Sequence, residues 1–338
     1  MVIREKIRRQ LLYLAPLLFL LAWVQPAAQI LARWDWRLDL LSHFQGPALA
    51  ITLLAIVGML LTRRRSVLIL LLLAVFQGES VLRYSLSNPV MAANPTGTRL
   101  RILVANVLVD NNGYDALSTM IRVTNPDIVG LVEVSEAWLE GLAEISKEYP
   151  YKLNAPDGPR GLALWFKKPP ITIDPARTPT PDGWPFIHAL FEFKGETRHL
   201  WLVHPASPMR RLGRFVGFPE LEALASLMAE KGGSTIVMGD FNTTEGSPYF
   251  RDFLHVTGLR DSRLGFGRQA SWPVGSPYQI TLDHAFVSKD WAVVERKQGP
   301  SIGSDHWPFW FELAPSAKAR LATDARTSAS ARKASSTP

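Results

Sequence analysis

Side chains suited to metal binding and acid/base chemistry recur where apolar runs of this sequence end. The run at 236–238 gives way to Gly239, Asp240, Phe241 and Asn242. Other strand-like runs carry comparable residues at or next to their ends: Asn106, Glu133, His204, Asp283, Asp305 and His306. A carboxylate carried into the interior is costly unless a positive group awaits it. If these side chains meet at one rim, they form a hard-cation site for Mg²⁺ or Mn²⁺ with acid/base groups beside it.

Each residue also has an ordinary structural explanation. Asp240 and Asn242 are common turn formers. Asn106 could satisfy a strand end and His204 could pack under a loop, while Asp283 could pair with an arginine. Asp305 and His306 could cap a turn. All of these explanations would have to hold independently, so a shared site is the favoured interpretation.

Strands and helices alternate around these positions. Strands are predicted at 100–107, 127–134, 161–167, 186–193, 198–204, 280–288 and 307–313 in addition to the run before Asp240, and helices at 116–123, 136–147 and 219–230. Nearly continuous apolar strands indicate sheets covered on both faces. The hairpin signal at 194–196 argues against a purely parallel sheet and favours a layered α/β sandwich.

Residues 1–86 predict a membrane anchor. Three apolar runs, at 11–32, 46–62 and 66–82, approach the roughly 20 residues that a spanning helix needs. The first could instead be a signal peptide, although it is long and two more runs follow it. Glu79 makes the third run the weakest. Basic residues before the first run and at 63–65 predict a cytoplasmic N-terminus and an extracytoplasmic domain after the third run.

The net charge of +7 does not indicate a nucleic-acid partner, because of where it lies. Residues 1–98 carry 10 basic and 4 acidic side chains, and the predicted disordered tail at 315–338 carries 5 and 1. The 22 basic and 25 acidic side chains that remain make residues 99–314 slightly acidic. A linker is predicted at 87–98 from its proline, asparagine and glycine content. The absence of cysteine is compatible with an extracytoplasmic domain without disulfides, but it supports that location only weakly.

The series N…E…HP…GDFN…LDH…SDH, from Asn106 to His306, resembles the endonuclease/exonuclease/phosphatase superfamily. The resemblance covers residues 99–313 and implies the DNase I-like fold, a four-layer α/β sandwich of two mixed sheets flanked by helices. With three transmembrane helices in front, it implies a membrane-anchored bacterial-type member. The expected location is the bacterial inner membrane, multi-pass, with the catalytic domain at 99–314 outside the cytoplasm.

For the metal, the resemblance implies that Glu133 is the principal Mg²⁺ ligand, with Mn²⁺ as an alternative ion. Asn106 would lie beside Glu133 and hold metal or phosphate. Asp305 would approach the metal.

For catalysis, the resemblance implies that Asp240 positions or deprotonates the attacking water. Asn242 would orient Asp240 and bond a phosphate oxygen. His306 and Asp283 would form an acid/base and phosphate-stabilising pair, and His204 would donate to the phosphate. These roles agree with the needs of phosphoester hydrolysis: a cation, an oriented water and hydrogen-bond donors.

The substrate class stays open at this point. Arg210, Arg211 and Arg214 are candidate substrate-binding residues, although a solvated loop would also explain them. The expected function is Mg²⁺-dependent hydrolysis of a phosphodiester or phosphomonoester. One alternative is a nuclease acting on extracytoplasmic DNA or RNA, and another is a catalytically silent binding or scaffold module of the same fold. No protein partner can be inferred.

Overall fold

The computed structural model describes residues 2–90, 94, 97–211 and 218–317. The helices are α1 (Val2–Ala22), α2 (Val24–Leu31), α3 (Trp36–Ser42), α4 (Gln45–Leu61), α5 (Val67–Leu86), α6 (Tyr114–Thr124), α7 (Glu136–Gly141), α8 (Ala143–Ser146), α9 (Pro219–Lys231) and α10 (Pro248–Thr257). The strands are β1 (Leu100–Asn106), β2 (Ile128–Val132), β3 (Tyr151–Ala155), β4 (Leu162–Phe166), β5 (Thr172–Arg177), β6 (Pro185–Phe193), β7 (Glu196–Val203), β8 (Thr235–Asp240), β9 (Arg260–Asp261), β10 (Asp283–Val287), β11 (Trp291–Gln298) and β12 (Phe309–Pro315). From residue 318 on, the predicted disordered tail lies outside the described residues.

The N-terminal helices α1, α4 and α5 pack around a small apolar core. A Cβ added at Gly58 of α4 would lie 3.0 Å from the Cβ of Ala15 in α1, so the two helices approach closely there. One stretch, Leu12–Leu31, is long and apolar enough to cross a membrane, and a second is counted if α3 and α4, bent by 66°, form one span. The third predicted span contains a shorter apolar stretch, Val67–Glu79. The described residues thus contain one or two candidate spans, and three spans stay a prediction.

The twelve strands β1 to β12 form two six-stranded mixed sheets. The first has the order β11-β12-β1-β2-β4-β3, and the second has the order β5-β6-β7-β8-β10-β9. β1 runs parallel to β2 and β7 runs parallel to β8, while the other pairs are antiparallel. This mixed order agrees with the sandwich predicted from the hairpin signal.

Three apolar layers explain the arrangement. Residues of both sheets, such as Ile102 and Met238, share one buried cluster between the sheets. The outer face of the first sheet packs under α6, α7 and α8 around Trp138. The outer face of the second sheet packs under α9 and α10 around Phe241. Strands with both faces buried need apolar residues at every position, which is why their runs are nearly continuous.

The helices α2 to α5 also contact the two-sheet domain directly. Arg263 is fully buried, donates to both carboxylate oxygens of Asp261, and has its Cζ 4.0 Å from the ring centroid of Tyr84 in α5. The Tyr84 carbonyl oxygen accepts hydrogen bonds from the backbone N–H groups of Gly265 and Gly267, at 2.8 and 3.1 Å. Arg33, after α2, pairs with Asp252 of α10 at 2.7 Å. The N-terminal helices are therefore packed directly against the two-sheet domain.

Candidate active site

Strand pairing brings the candidate residues to one rim of the sandwich. In the first sheet, Asn106 is paired with Val132 across the parallel strands β1 and β2, so Asn106 and Glu133 emerge together. In the second sheet, Asp283 at the start of β10 is paired with Asp240 at the end of antiparallel β8. Because β12 runs antiparallel to β1, the residues that precede β12, including His306, lie at the same rim.

Glu133 is held in an unusual backbone conformation. Its φ is +61°, in the left-handed region that residues other than glycine rarely adopt, and its side chain is buried. The Nδ2 group of Asn106 donates to Glu133 Oε1 at 3.1 Å and to Asp240 Oδ2 at 3.0 Å. Asn106 Oδ1 accepts from the backbone N–H of Leu108 at 3.0 Å. Asn106 thus bonds both carboxylates and holds them close together. The left-handed backbone of Glu133 is of the kind that clusters at functional sites.

Asp240 is 1% exposed and fixed from several sides. Its Oδ1 accepts from the backbone N–H of Asn242 at 2.8 Å. Only glycine fits before it, because Gly239 has φ +138° and an added Cβ would lie 1.9 Å from the carbonyl oxygen of Val203. Burial raises the pKa of Asp240 to about 6, although the nearby imidazoles of His306 and His204 oppose the rise. A carboxyl with this pKa can accept a proton near neutral pH.

Asp283 and His306 form a buried carboxylate–imidazole pair. His306 Nδ1 lies 2.7 Å from Asp283 Oδ2, and His306 Nε2 lies 3.7 Å from Asp240 Oδ2. Burial alone would lower the pKa of His306, but the charges of Asp283 and Asp240 and the hydrogen bond to Asp283 raise it to about 10. Burial alone would raise the pKa of Asp283, but the His306 charge and hydrogen bonds from His306 and Ser271 hold it below its ordinary value.

His204 completes a donor set for a cation. Its Nε2 lies 3.9 Å from Glu133 Oε1 and 3.7 Å from Asp240 Oδ2. One ligand atom from each of these three residues lies within 4.8 Å of the others. Two carboxylates held this close repel each other, and carboxylate oxygens are the ligands that a hard divalent cation prefers. The residues present therefore fit Mg²⁺ or Mn²⁺.

Asn242 and Asp305 are constrained by other partners. Asn242 has φ +50°, and its Nδ2 group donates to the carbonyl oxygen of Pro205 at 3.0 Å, which leaves its second N–H and its Oδ1 for a ligand. Asp305 Oδ2 accepts from Trp272 Nε1 at 2.9 Å, and Asp305 Oδ1 lies 4.0 Å from His306 Nε2. The side chain of Asp305 is 45% exposed, which makes it the most exposed of the acidic residues of the site.

One cavity of about 220 Å³ gathers most of the predicted residues. Its walls include Glu133, His204, Asp240, Asn242, Asp305 and His306, while Asn106 and Asp283 bond these residues from behind. Arg214 lies outside the described residues, and so do the side chains of Arg210 and Arg211, at the end of the 3₁₀ turn Pro208–Arg211.

Sequence reasoning did not identify several residues of the cavity wall. Trp184 and Trp272 are aromatic walls, and Leu40 and His43 come from the N-terminal helices. No local pattern distinguishes these residues from ordinary apolar or interface positions. Their place in the cavity follows from contacts between distant parts of the chain.

The chain is similar to known proteins in sequence family and in fold. A model of the "Endonuclease/Exonuclease/phosphatase family" matches residues 103–306. Similar solved structures include D. rerio TDP2 complexed with single strand DNA product, with 18% identity, coverage of 64% of this chain and 99% of that chain, and a TM-score of 0.53. An endonuclease/exonuclease/phosphatase family protein from Leptotrichia buccalis has 17% identity, coverage of 63% and 99%, and a TM-score of 0.52. No curated protein sequence matches the chain significantly.

The structural likenesses, at these identities, show the fold alone: two mixed sheets flanked by helices in the DNase I-like arrangement. The family model covers more than half of the chain and spans Glu133, Asp240 and His306. The chain therefore belongs to the endonuclease/exonuclease/phosphatase family.

Proposed function

We propose that the protein is a membrane-anchored, Mg²⁺-dependent phosphoesterase that hydrolyses a phosphodiester or phosphomonoester by attack of water. The observation that carries the proposal is the buried Asp283–His306 pair, 2.7 Å apart, beside the Glu133–Asn106–Asp240 cluster in one cavity. A scaffold module gains nothing from burying this many ionisable groups, because each is costly to desolvate.

Glu133 and Asp240 lie where a divalent cation would be held, with His204 and Asp305 nearby. When bound, the cation neutralises charge on the phosphate oxygens. Glu133 is the ligand that the rest of the site leaves most available, because Asp240 already accepts two hydrogen bonds.

Asp240 acts as the base that orients water and takes its proton. Its pKa of about 6 suits that role near neutral pH. As the new P–O bond forms and the ester P–O bond breaks, negative charge grows on the phosphate oxygens and on the departing ester oxygen, which takes a proton from His306 and leaves as an alcohol. His306 donates through Nε2, because Asp283 holds Nδ1, and His204 is the second donor, with Nε2 at 3.7 Å from Asp240 Oδ2.

We expect replacement of Glu133 with glutamine to lower Mg²⁺-dependent hydrolysis about 100-fold or more, because it removes the charge that holds the cation. The measurement uses the full chain in detergent micelles with Mg²⁺, Mn²⁺ or EDTA. The panel is bis(4-nitrophenyl) phosphate, single- and double-stranded DNA, sphingomyelin and other phospholipids in vesicles, and inositol phosphates. The net acidic charge of residues 99–314 disfavours strong, salt-sensitive nucleic-acid binding, so DNA is the arm expected to be weakest.

The control for this test is metal binding itself. Mg²⁺ should raise the melting temperature of the wild type, because a ligand that binds only the folded state stabilises it, and the rise should be smaller in the Glu133→Gln variant. A wild type that hydrolyses nothing in the panel and shows no metal-dependent rise would instead favour the scaffold alternative.

Exposed apolar side chains on the N-terminal helices support the proposed membrane anchoring. Leu20, Leu54, Leu72 and Val75 are between 60% and 74% exposed, a cost in water that a bilayer removes. The segment 33–46 contacts the two-sheet domain, and α4 then runs about 25 Å to the arginines at 63–65. The arginines thus lie at the end of α4 away from the domain, which fits a cytoplasmic triple-arginine loop and an extracytoplasmic domain.

The topology is testable because the natural chain has no cysteine. We expect a membrane-impermeant maleimide to label an exposed Lys168→Cys variant in intact spheroplasts, because residue 168 belongs to the external domain. An Arg64→Cys variant should be labelled only after permeabilisation. The reverse labelling pattern would overturn the orientation, and labelling of both variants in intact spheroplasts would overturn the membrane-spanning arrangement.

A further inference from the structure

The N-terminal helices supply part of the wall of the catalytic cavity. The end of α3, the link that follows it and the first residue of α4, residues 39–45, are called the elbow here. Leu40 and His43 of the elbow line the same cavity of about 220 Å³ as Glu133, Asp240 and His306. The family match begins only at residue 103, so this wall lies outside the family domain.

The elbow is fixed to the loop that follows Asp240 and Asn242. Ser247 Oγ donates to Asp39 Oδ1 at 2.7 Å, and both residues are buried. A Cβ added at Gly246 would lie 2.1 Å from the carbonyl oxygen of Ser42, so the two backbones are in direct contact. A shift of the elbow would therefore be transmitted to the loop that follows the catalytic carboxylate of Asp240.

His43 is the ionisable side chain by which the elbow lines the cavity. Its side chain is buried, and Nε2 lies 3.5 Å from Asp39 Oδ2. Within the described part of the chain, neither of these two atoms has a hydrogen-bond partner. The two atoms face each other, so the carboxylate of Asp39 orients the His43 ring through Nε2.

We propose that His43 is a substrate-contacting residue and that Asp39 is its positioning residue. Asp39 bonds Ser247 through Oδ1 and faces His43 Nε2 through Oδ2, so it fixes the ring against the two-sheet domain. Nδ1 is then the ring nitrogen available to the ester group of a substrate. The role rests on the proposed function, because it takes the cavity to hold a phosphate ester.

The test measures binding without turnover. The ligand is diphenylphosphinate, in which both phenyl groups are joined to phosphorus by P–C bonds that hydrolysis does not cleave. Calorimetry on the full chain in detergent micelles with Mg²⁺ should show that His43→Ala weakens the Kd about tenfold, the loss of one hydrogen bond to a charged ligand. His43→Gln, which keeps an N–H donor, should recover most of the affinity.

Two further variants separate contact from packing. Asp39→Asn should weaken binding in the wild-type background and have no further effect in the His43→Ala background, because a positioning residue acts only through its partner. His255→Ala, an exposed histidine on α10 outside this cavity, should bind as the wild type does.

Unchanged affinity in His43→Ala overturns the contact, as does a wild type that does not bind the phosphinate. Equal losses in His43→Gln and His43→Ala overturn the hydrogen bond, and an Asp39→Asn effect that persists without His43 overturns the positioning role. If no ester in the panel is hydrolysed but His43→Ala still weakens phosphinate binding, the hydrolase is refuted and the contact stands. If His43→Ala does not fold, the His43→Gln and Asp39→Asn variants decide.

Discussion

Replacing Asp240 with asparagine is expected to lower kcat about 10³-fold at neutral pH while the fold is retained, although the hydrogen bond from Asn106 Nδ2 is lost. Asparagine has nearly the same shape and can still accept from the backbone N–H of Asn242, so the turn after β8 is retained. It cannot accept a proton from water. The loss therefore reports the base rather than the fold, provided that circular dichroism matches the wild type and the variant is fully folded at the assay temperature.

The pH profile gives an independent check on this role. A base must be ionised to act, so wild-type activity should fall as the pH drops through the pKa of Asp240, which burial raises to about 6. A cation held beside Glu133 favours the ionised carboxyl of Asp240 and moves this fall in activity to lower pH. The residual activity of the Asp240→Asn variant should not fall in this pH range.

A comparison with Glu133→Gln separates the base from the metal ligand. Asp240→Asn should keep most of the Mg²⁺-dependent rise in melting temperature, whereas Glu133→Gln should lose most of it. If Asp240→Asn retains more than a tenth of wild-type kcat, Asp240 is not the base. If it loses the metal-dependent rise, Asp240 is principally a ligand.

The sequence identified the interior of both sheets and missed their edges. The eight predicted strands correspond to β1, β2, β4, β6, β7, β8, β10 and β12, all of them interior. The four unpredicted strands, β3, β5, β9 and β11, are the edge strands. Interior strands are apolar on both faces, whereas an edge such as β5 is largely exposed and tolerates Pro175.

The candidate site was predictable for a related reason. Asn106, Glu133 and Asp240 stand out because each interrupts or ends a buried run, and parallel pairing of β1 with β2 brings the first two together. The elbow was not predictable. Asp39 and Ser247 are 208 positions apart in the chain, and residues 33–45 show only balanced charges in the sequence.

One predicted helix is divided in the structure. The stretch 136–147 forms two short helices, α7 and α8, which meet at Leu142. The positive φ of Glu133 has no sequence signal, since glutamate is not a residue that favours the left-handed region. Tertiary contacts fix both features, and local propensity does not encode them.

Replacing Asp283 with asparagine is expected to lower kcat about 10²- to 10³-fold, with a loss that grows as the pH rises. His306 must be protonated to donate to the phosphate, so activity falls as the pH rises through the pKa of His306. The charges of Asp283 and Asp240 raise that pKa to about 10 against the effect of burial. Removing the Asp283 charge and its 2.7 Å hydrogen bond lowers the pKa, so the alkaline limb should move down by more than about one pH unit.

A double-mutant cycle with His306→Gln tests whether the two residues act as one unit. His306→Gln alone should cost about 10³-fold in kcat, because it removes the imidazolium. In that background Asp283→Asn should cost almost nothing further, since Asp283 acts through His306. Additive losses, or an alkaline limb that stays in place in Asp283→Asn, would mean that His306 is not the donor, and the charge on the phosphate would then have to be met by His204, whose Nε2 also lies 3.7 Å from Asp240 Oδ2.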